Sequence, residues 1–107
     1  MKVAISSEGN DLKAKMDSRF GRCTYFAIYD TRNQALDFIR NPYKEVNSGA
    51  GPATASLLAK EGVSKVYGGH FGEKVKKTFA ELEISMEEVD LSSDKTIEEI
   101  ISSINKL

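Results

Sequence analysis

The chain has 107 residues, 40% of them hydrophobic, and its 15 basic side chains nearly cancel its 16 acidic ones. That predicts a single domain over 1–107 with no long-range field to draw it onto nucleic acid or anionic lipid. No run approaches the roughly 20 apolar residues of a membrane span, and MKVAISSEGN lacks the apolar core and cleavage site of a secretory signal, so the expectation is a cytoplasmic protein.

KVAIS (2–6) is a β-branched and apolar run that stops at polar SEGND, as a first strand does. Residues 7–19 are polar without helical periodicity and read as a loop of functional or mobile character. TYFAIYD (24–30) is rich in aromatic and β-branched residues. In QALDFIR (34–40), Ala35, Asp37 and Ile39 alternate with Leu36, Phe38 and Arg40. With the short linker TRN these two runs predict a β-hairpin, which NP at 41–42 ends.

After NSGAG the pattern changes. PATASLLAKEG (52–62) places Pro52 where a first helical turn tolerates it and Gly62 at the C-terminal stop. VSKVYGG (63–69) reads as a strand. FGEKVKKTFAELE (71–83) repeats apolar residues at 71, 75, 79 and 82, with Glu73 and Lys77 four apart in the favourable orientation. ISMEEVD (84–90) fits a last strand, with Ile84, Met86 or Val89 inward. The terminal TIEEIISSINKL carries Ile97, Ile100, Ile101 and Ile104 on one helical face behind a capping box of Thr96 and Glu99. The order βββαβαβα predicts an α/β fold: a mixed five-stranded sheet with three helices packed on its faces.

In such sheets ligands collect where strand ends meet helix starts, and three loops there carry unusual residues. In NSGAGP (47–52), Gly49 and Gly51 let backbone approach a ligand at a helix N-terminus, or simply form an entry loop. In GGHFG, Gly68, Gly69 and Gly72 leave room around His70, a possible metal ligand or an ordinary surface histidine. In MDSRFGRC (16–23), Arg19 and Arg22 offer planar donors for anions. Cys23 is there either a soft ligand or a small half-buried strand residue. One Cys and one His cannot complete a four-ligand structural zinc site without carboxylates or a second chain. The inventory for hydrolysis is poor: no third group orients His70, and no nucleophile elbow occurs. Asp17, Asp30 and Asp90 could form a carboxylate metal site only if the fold brought them together.

SRFGRCTYFAIYD (18–30), followed by GAGPATASLLAKEGVSKVYGGHFGEKVKKTFAELEI (49–84), resembles the family of dinitrogenase iron–molybdenum cofactor-binding proteins of the NifX/NifY type, also found as the C-terminal domain of NifB proteins. The resemblance runs from KVAISSEG to the terminal TIEEII. It implies a ribonuclease-H-like three-layer fold without implying ribonuclease activity. It also implies a non-enzymatic carrier of an iron–sulfur or iron–molybdenum-type cluster, or a precursor, in metallocluster assembly. Cluster-assembly or acceptor proteins would be its partners, and it would be a monomer or weak homodimer.

On that reading the cofactor-binding residues are Ser18, Arg19, Phe20, Gly21, Arg22, Gly49, Gly51, Gly68, Gly69, His70 and Gly72, with Cys23 and His70 as metal ligands. Family members commonly carry a small residue such as alanine in place of Cys23 and another polar residue, often asparagine, in place of His70. The alternative is a metal-independent regulatory or scaffold domain that binds a small anion or a protein.

Overall fold

A computed structural model describes residues 1–46, 49–90 and 94–106. The strands are β1 (Lys2–Ser7), β2 (Tyr25–Asp30), β3 (Leu36–Arg40), β4 (Val63–Gly68) and β5 (Ser85–Glu88). The helices are α1 (Ala50–Lys60), α2 (Glu73–Glu81) and α3 (Ile97–Asn105), and a short 3-10 turn spans Phe20–Arg22. The sheet order is β3-β2-β1-β4-β5. β1 pairs antiparallel with β2, and β2 with β3, while β1/β4 and β4/β5 are parallel. This is the expected βββαβαβα arrangement in the three-layer form of ribonuclease-H-like folds.

Strand alternation builds the layers. Val3, Ile5, Ala27, Tyr29 and Tyr67 face Ile97, Ile100 and Ile104 of α3. Ala4, Phe26, Ile28 and Val66 point the other way, against Ala55 and Leu58 of α1 and Val75 and Phe79 of α2. β1 is therefore apolar on both faces, because a central strand covered by helices on both sides has no solvent face. The hairpin partner β3 is an edge strand and is only partly buried.

The helix boundaries follow local chemistry. α1 starts two residues before Pro52, which occupies the first turn, where its missing N–H leaves no bond unmade. Gly62 follows the helix with φ 82°, a left-handed conformation that favours glycine. Thr96 and Glu99 form the anticipated capping box: the Thr96 hydroxyl accepts from the Glu99 N–H at 3.3 Å, and the Glu99 carboxylate accepts from the Thr96 N–H at 3.1 Å. In α2 the Glu73 carboxylate pairs with Lys76 at 3.7 Å rather than with Lys77.

Two expectations change in detail. Residues 7–19 are more structured than a polar loop suggests, because Met16 is buried and Lys15 bridges to Thr96 in antiparallel fashion. The Glu98 N–H donates to the Leu12 carbonyl, tying the segment to the start of α3. Leu82, counted with the apolar stripe of α2, lies past its last turn and is exposed, and Ile84 is buried instead. Among the described residues no helix is long and apolar enough to cross a membrane.

Topology gathers the loops. Ser7 pairs with Tyr25 and Tyr25 with Arg40, so the C-terminal ends of β1 and β3 and the N-terminal end of β2 lie at one end of the sheet. β4 runs parallel to β1 and finishes at the same end. All three glycine-bearing segments adjoin the sheet there. Asp30, paired with Lys2, lies at the opposite end.

Candidate ligand cleft

The segment entering the 3-10 turn is set by Asp17. Its N–H donates to the Ser6 carbonyl at 2.9 Å, and its own carbonyl accepts from the Ser6 hydroxyl at 2.8 Å. The buried Asp17 carboxylate then accepts from the Arg19 N–H at 2.9 Å and from Arg19 Nε at 3.5 Å. The Arg19 side chain is thus oriented from its base, yet remains 64% exposed. Its backbone joins His70 in a parallel β-bridge, which places the arginine loop beside the GGHFG loop.

Phe20 pins the 3-10 turn from below. Its ring lies 5.4 Å from Phe26, 5.6 Å from Phe71 and 5.1 Å from Phe79, in tilted and edge-on arrangements that suit aromatic quadrupoles. Above this cluster the backbones close in. A Cβ on Gly21 would stand 3.1 Å from the Gly51 nitrogen, and one on Gly51 would stand 3.3 Å from Val75. The 3-10 turn, α1 and α2 can meet this closely only because both positions are glycine.

The space left between them is a cleft of about 670 Å³, within the range of small-ligand sites. Of the residues predicted from sequence, Ser18, Arg19, Phe20, Gly21, Arg22, Gly49, Gly51, His70 and Gly72 line it. Ala50 and Pro52, of the NSGAGP loop, also line it, and Glu73, Lys74 and Val75, which sequence reasoning passed over, complete the lining. The first turns of both helices were legible as helix starts. That they face one another was not.

Neither helix start has a side-chain cap. Gly49 precedes α1 with φ 75°, Gly72 precedes α2, and neither has a side-chain oxygen to offer the first-turn N–H groups. An α-helix leaves its first N–H groups without intrahelical partners and carries a partial positive charge there. Two such ends open on one cleft, beside Arg19, Arg22, Lys74 and His70, with Glu73 as the single carboxylate in the lining. The arrangement favours an anion.

Three predicted residues lie outside the lining. Gly68 serves packing: a Cβ there would meet the Phe71 ring at 3.0 Å and the Ser6 hydroxyl at 3.4 Å. Gly69 is buried. Cys23 has no exposed surface, and its thiol donates to the Phe20 carbonyl at 3.3 Å. Burial, and next the nearby Asp17 carboxylate, push that thiol up to about 12, so it stays protonated. Buried away from the cleft lining, Cys23 presents no thiolate to it. Arg22 lines the cleft, but its Nη1 donates to the carbonyls of Lys44, at 3.1 Å, and Val46, which commits part of its guanidinium to the turn after β3.

Among the described residues no three His, Cys, Asp or Glu side chains gather as a metal-binding group, so Asp17, Asp30 and Asp90 form no carboxylate site. The cleft offers one imidazole, the Glu73 carboxylate, the Ser18 hydroxyl, backbone N–H groups and cations. It suits an anionic cluster held by charge and hydrogen bonds rather than by several protein–metal bonds.

An uncharacterized protein of Methanocaldococcus jannaschii is 28% identical over 96 residues, which cover 87% of this chain and 78% of that protein. The apo form of the orange protein from Desulfovibrio gigas superposes with a TM-score of 0.87 at 25% identity, over 98% of this chain and 87% of its own. A NifB-like protein from Thermotoga superposes with a TM-score of 0.83 at 26% identity, again over 98% and 87%. The family described as dinitrogenase iron-molybdenum cofactor matches residues 1–107, and the chain belongs to that family.

Proposed function

We propose that this protein is a carrier, not a catalyst, that holds an anionic iron–sulfur or iron–molybdenum-type cluster, or a precursor of one, for transfer to cluster-assembly or acceptor proteins. The observation that carries the reading is the meeting of two uncapped helix N-termini with Arg19 and His70 on one open cleft. Membership in a family named for the iron-molybdenum cofactor supports it, as does likeness to a protein solved in its apo form.

The physical division of labour is simple. The first-turn N–H groups of α1 and α2 donate to the ligand's outer sulfur or oxygen atoms, and Arg19 and Lys74 neutralise its charge. The apolar floor of Phe20, Ala50 and Val75 packs against soft, polarizable sulfur. His70 is the accessible imidazole of the cleft and would reach a metal directly, with the Glu73 carboxylate as the other exposed ligand type in the lining. Weak, reversible binding of this kind suits transfer, since release then breaks few protein–metal bonds.

The test is anaerobic titration with tetrathiomolybdate and, separately, reconstitution with iron and sulfide, read by visible absorption and by the rise in unfolding temperature that any native-state ligand produces. Saturable binding that weakens in Arg19→Ala and His70→Ala supports the proposal. Stabilisation by inorganic phosphate alone, indifferent to His70, would favour the second reading, a metal-independent domain that binds small anions. That reading draws on the same helix ends.

A further inference from the structure

Asn41, at the end of β3, is 3% exposed and uses both ends of its amide. Its Nδ2 donates to the Gly21 carbonyl at 3.1 Å and to the Cys23 carbonyl at 3.0 Å. Its Oδ1 accepts from the Tyr43 N–H at 3.0 Å and from the Thr54 hydroxyl of α1 at 3.4 Å. One side chain therefore joins the 3-10 turn, the turn after β3 and the second turn of α1. Arg22 closes the circuit by donating back to the Lys44 and Val46 carbonyls.

We propose that Asn41 is the positioning residue of the cleft. It holds the segment Arg19–Cys23 against the first turn of α1, and without it that segment loosens locally while the sheet stays folded. The proposal rests on reading the cleft as the ligand site. Between Gly21 and Gly51 the contact is backbone against backbone, with no side chains to interlock, so beyond the packing of Phe20 it is hydrogen bonds that hold the turn to α1. Two loop carbonyls accept from the Asn41 amide, and the buried one, of Cys23, is costly to keep in place without its donor. Asparagine alone among the turn-forming residues offers two N–H donors and an acceptor from one planar group. Aspartate would keep the turn bond to Tyr43 and lose both bonds to the 3-10 turn.

That difference makes Asn41→Asp the decisive variant, with Asn41→Ala beside it. Cys23, the only cysteine, lies under the same segment and reports its opening. N-ethylmaleimide labelling is followed across low urea concentrations, and tetrathiomolybdate affinity is measured on the same proteins. Ile100→Ala, which weakens the core from the α3 face, is the control. The expected result is labelling of Cys23 in both Asn41 variants roughly tenfold faster than native and nearly independent of urea, the signature of local rather than global opening. Affinity falls by a similar factor, whereas the control binds normally and labels only with the urea dependence of global unfolding.

The proposal is overturned if Asn41→Asp labels and binds like the native protein, since Asn41 would then be a turn former only. It is equally overturned if labelling of the variants rises only through global unfolding. Should the native protein bind no tetrathiomolybdate, the carrier reading fails separately, and the labelling still decides whether Asn41 holds the segment.

Discussion

Arg19 and His70, distant in sequence, are partners in a parallel β-bridge at the rim of the cleft. Because the bridge is made by backbone, both side chains can be changed without dismantling the rim. Arg19→Ala is expected to weaken binding of tetrathiomolybdate by roughly tenfold, about 1.4 kcal/mol. Its effect on stability should stay within about 0.5 kcal/mol, as for other exposed side chains. Titration and urea unfolding of the same variant check both halves, and a large loss of stability would show that Arg19 holds the fold instead.

Gly21→Ala forces a methyl group to 3.1 Å from the Gly51 nitrogen and 3.2 Å from its Cα. Backbone cannot turn aside as a flexible side chain would, so the 3-10 turn must lift from α1. The expected cost is about 1–3 kcal/mol, as for other overpacked positions. Gly72→Ala meets nothing within 4 Å and serves as the contrast: little change in stability, with its methyl group entering the ligand's space. Denaturation and anion titration of the pair separate packing from occupancy.

Cys23→Ala should retain ligand binding, since the thiol is buried and stays protonated. Loss of the sulfur leaves a small void, for which about 1 kcal/mol of destabilisation is expected. In the folded protein the thiol of native Cys23 should resist maleimide at pH 8. Loss of cluster binding in the alanine variant, with the fold intact by circular dichroism, would restore Cys23 as a ligand.

Asp30, at the end of the sheet away from the cleft, predicts a pH dependence. The Arg32 side chain donates to it through Nε at 3.2 Å and Nη2 at 3.0 Å, and the Arg32 N–H adds a third bond at 2.9 Å. Together they hold the carboxyl at about 2. An unfolded Asp titrates near 3.9, so the folded state binds fewer protons, and this stabilisation is complete above about pH 4 and lost as pH falls toward 2. Arg32→Gln should flatten the acid limb of the stability curve in that window. Unfolding midpoints measured from pH 6 to 2 provide the check, and identical acid limbs would contradict the assignment.

Much of this protein is decided locally and can be read from its sequence. Thr96 and Glu99 mark the start of α3 because a capping box is made within one turn, and the spacing of Ile97, Ile100 and Ile104 marks its buried face. Gly62 stops α1 because a left-handed residue there costs glycine little. The three glycine-bearing loops were recognisable as candidate binding segments, since glycine and proline restrict or free the backbone wherever they stand.

What only tertiary structure decided is which of these segments meet. The mixed pairing of β1, antiparallel to β2 and parallel to β4, sends three loops to one end of the sheet and Asp30 to the other. It opens the first turns of α1 and α2 on the same cleft, so that Glu73 and Lys74 join a site that their local pattern does not announce. It also buries Cys23 beneath Phe20, one step in sequence from the accessible Arg22. Local propensities depend on neighbours within a turn or a strand pair. Burial of a thiol and convergence of helix dipoles depend on contacts between residues far apart in the chain, which exist only once the layers have packed.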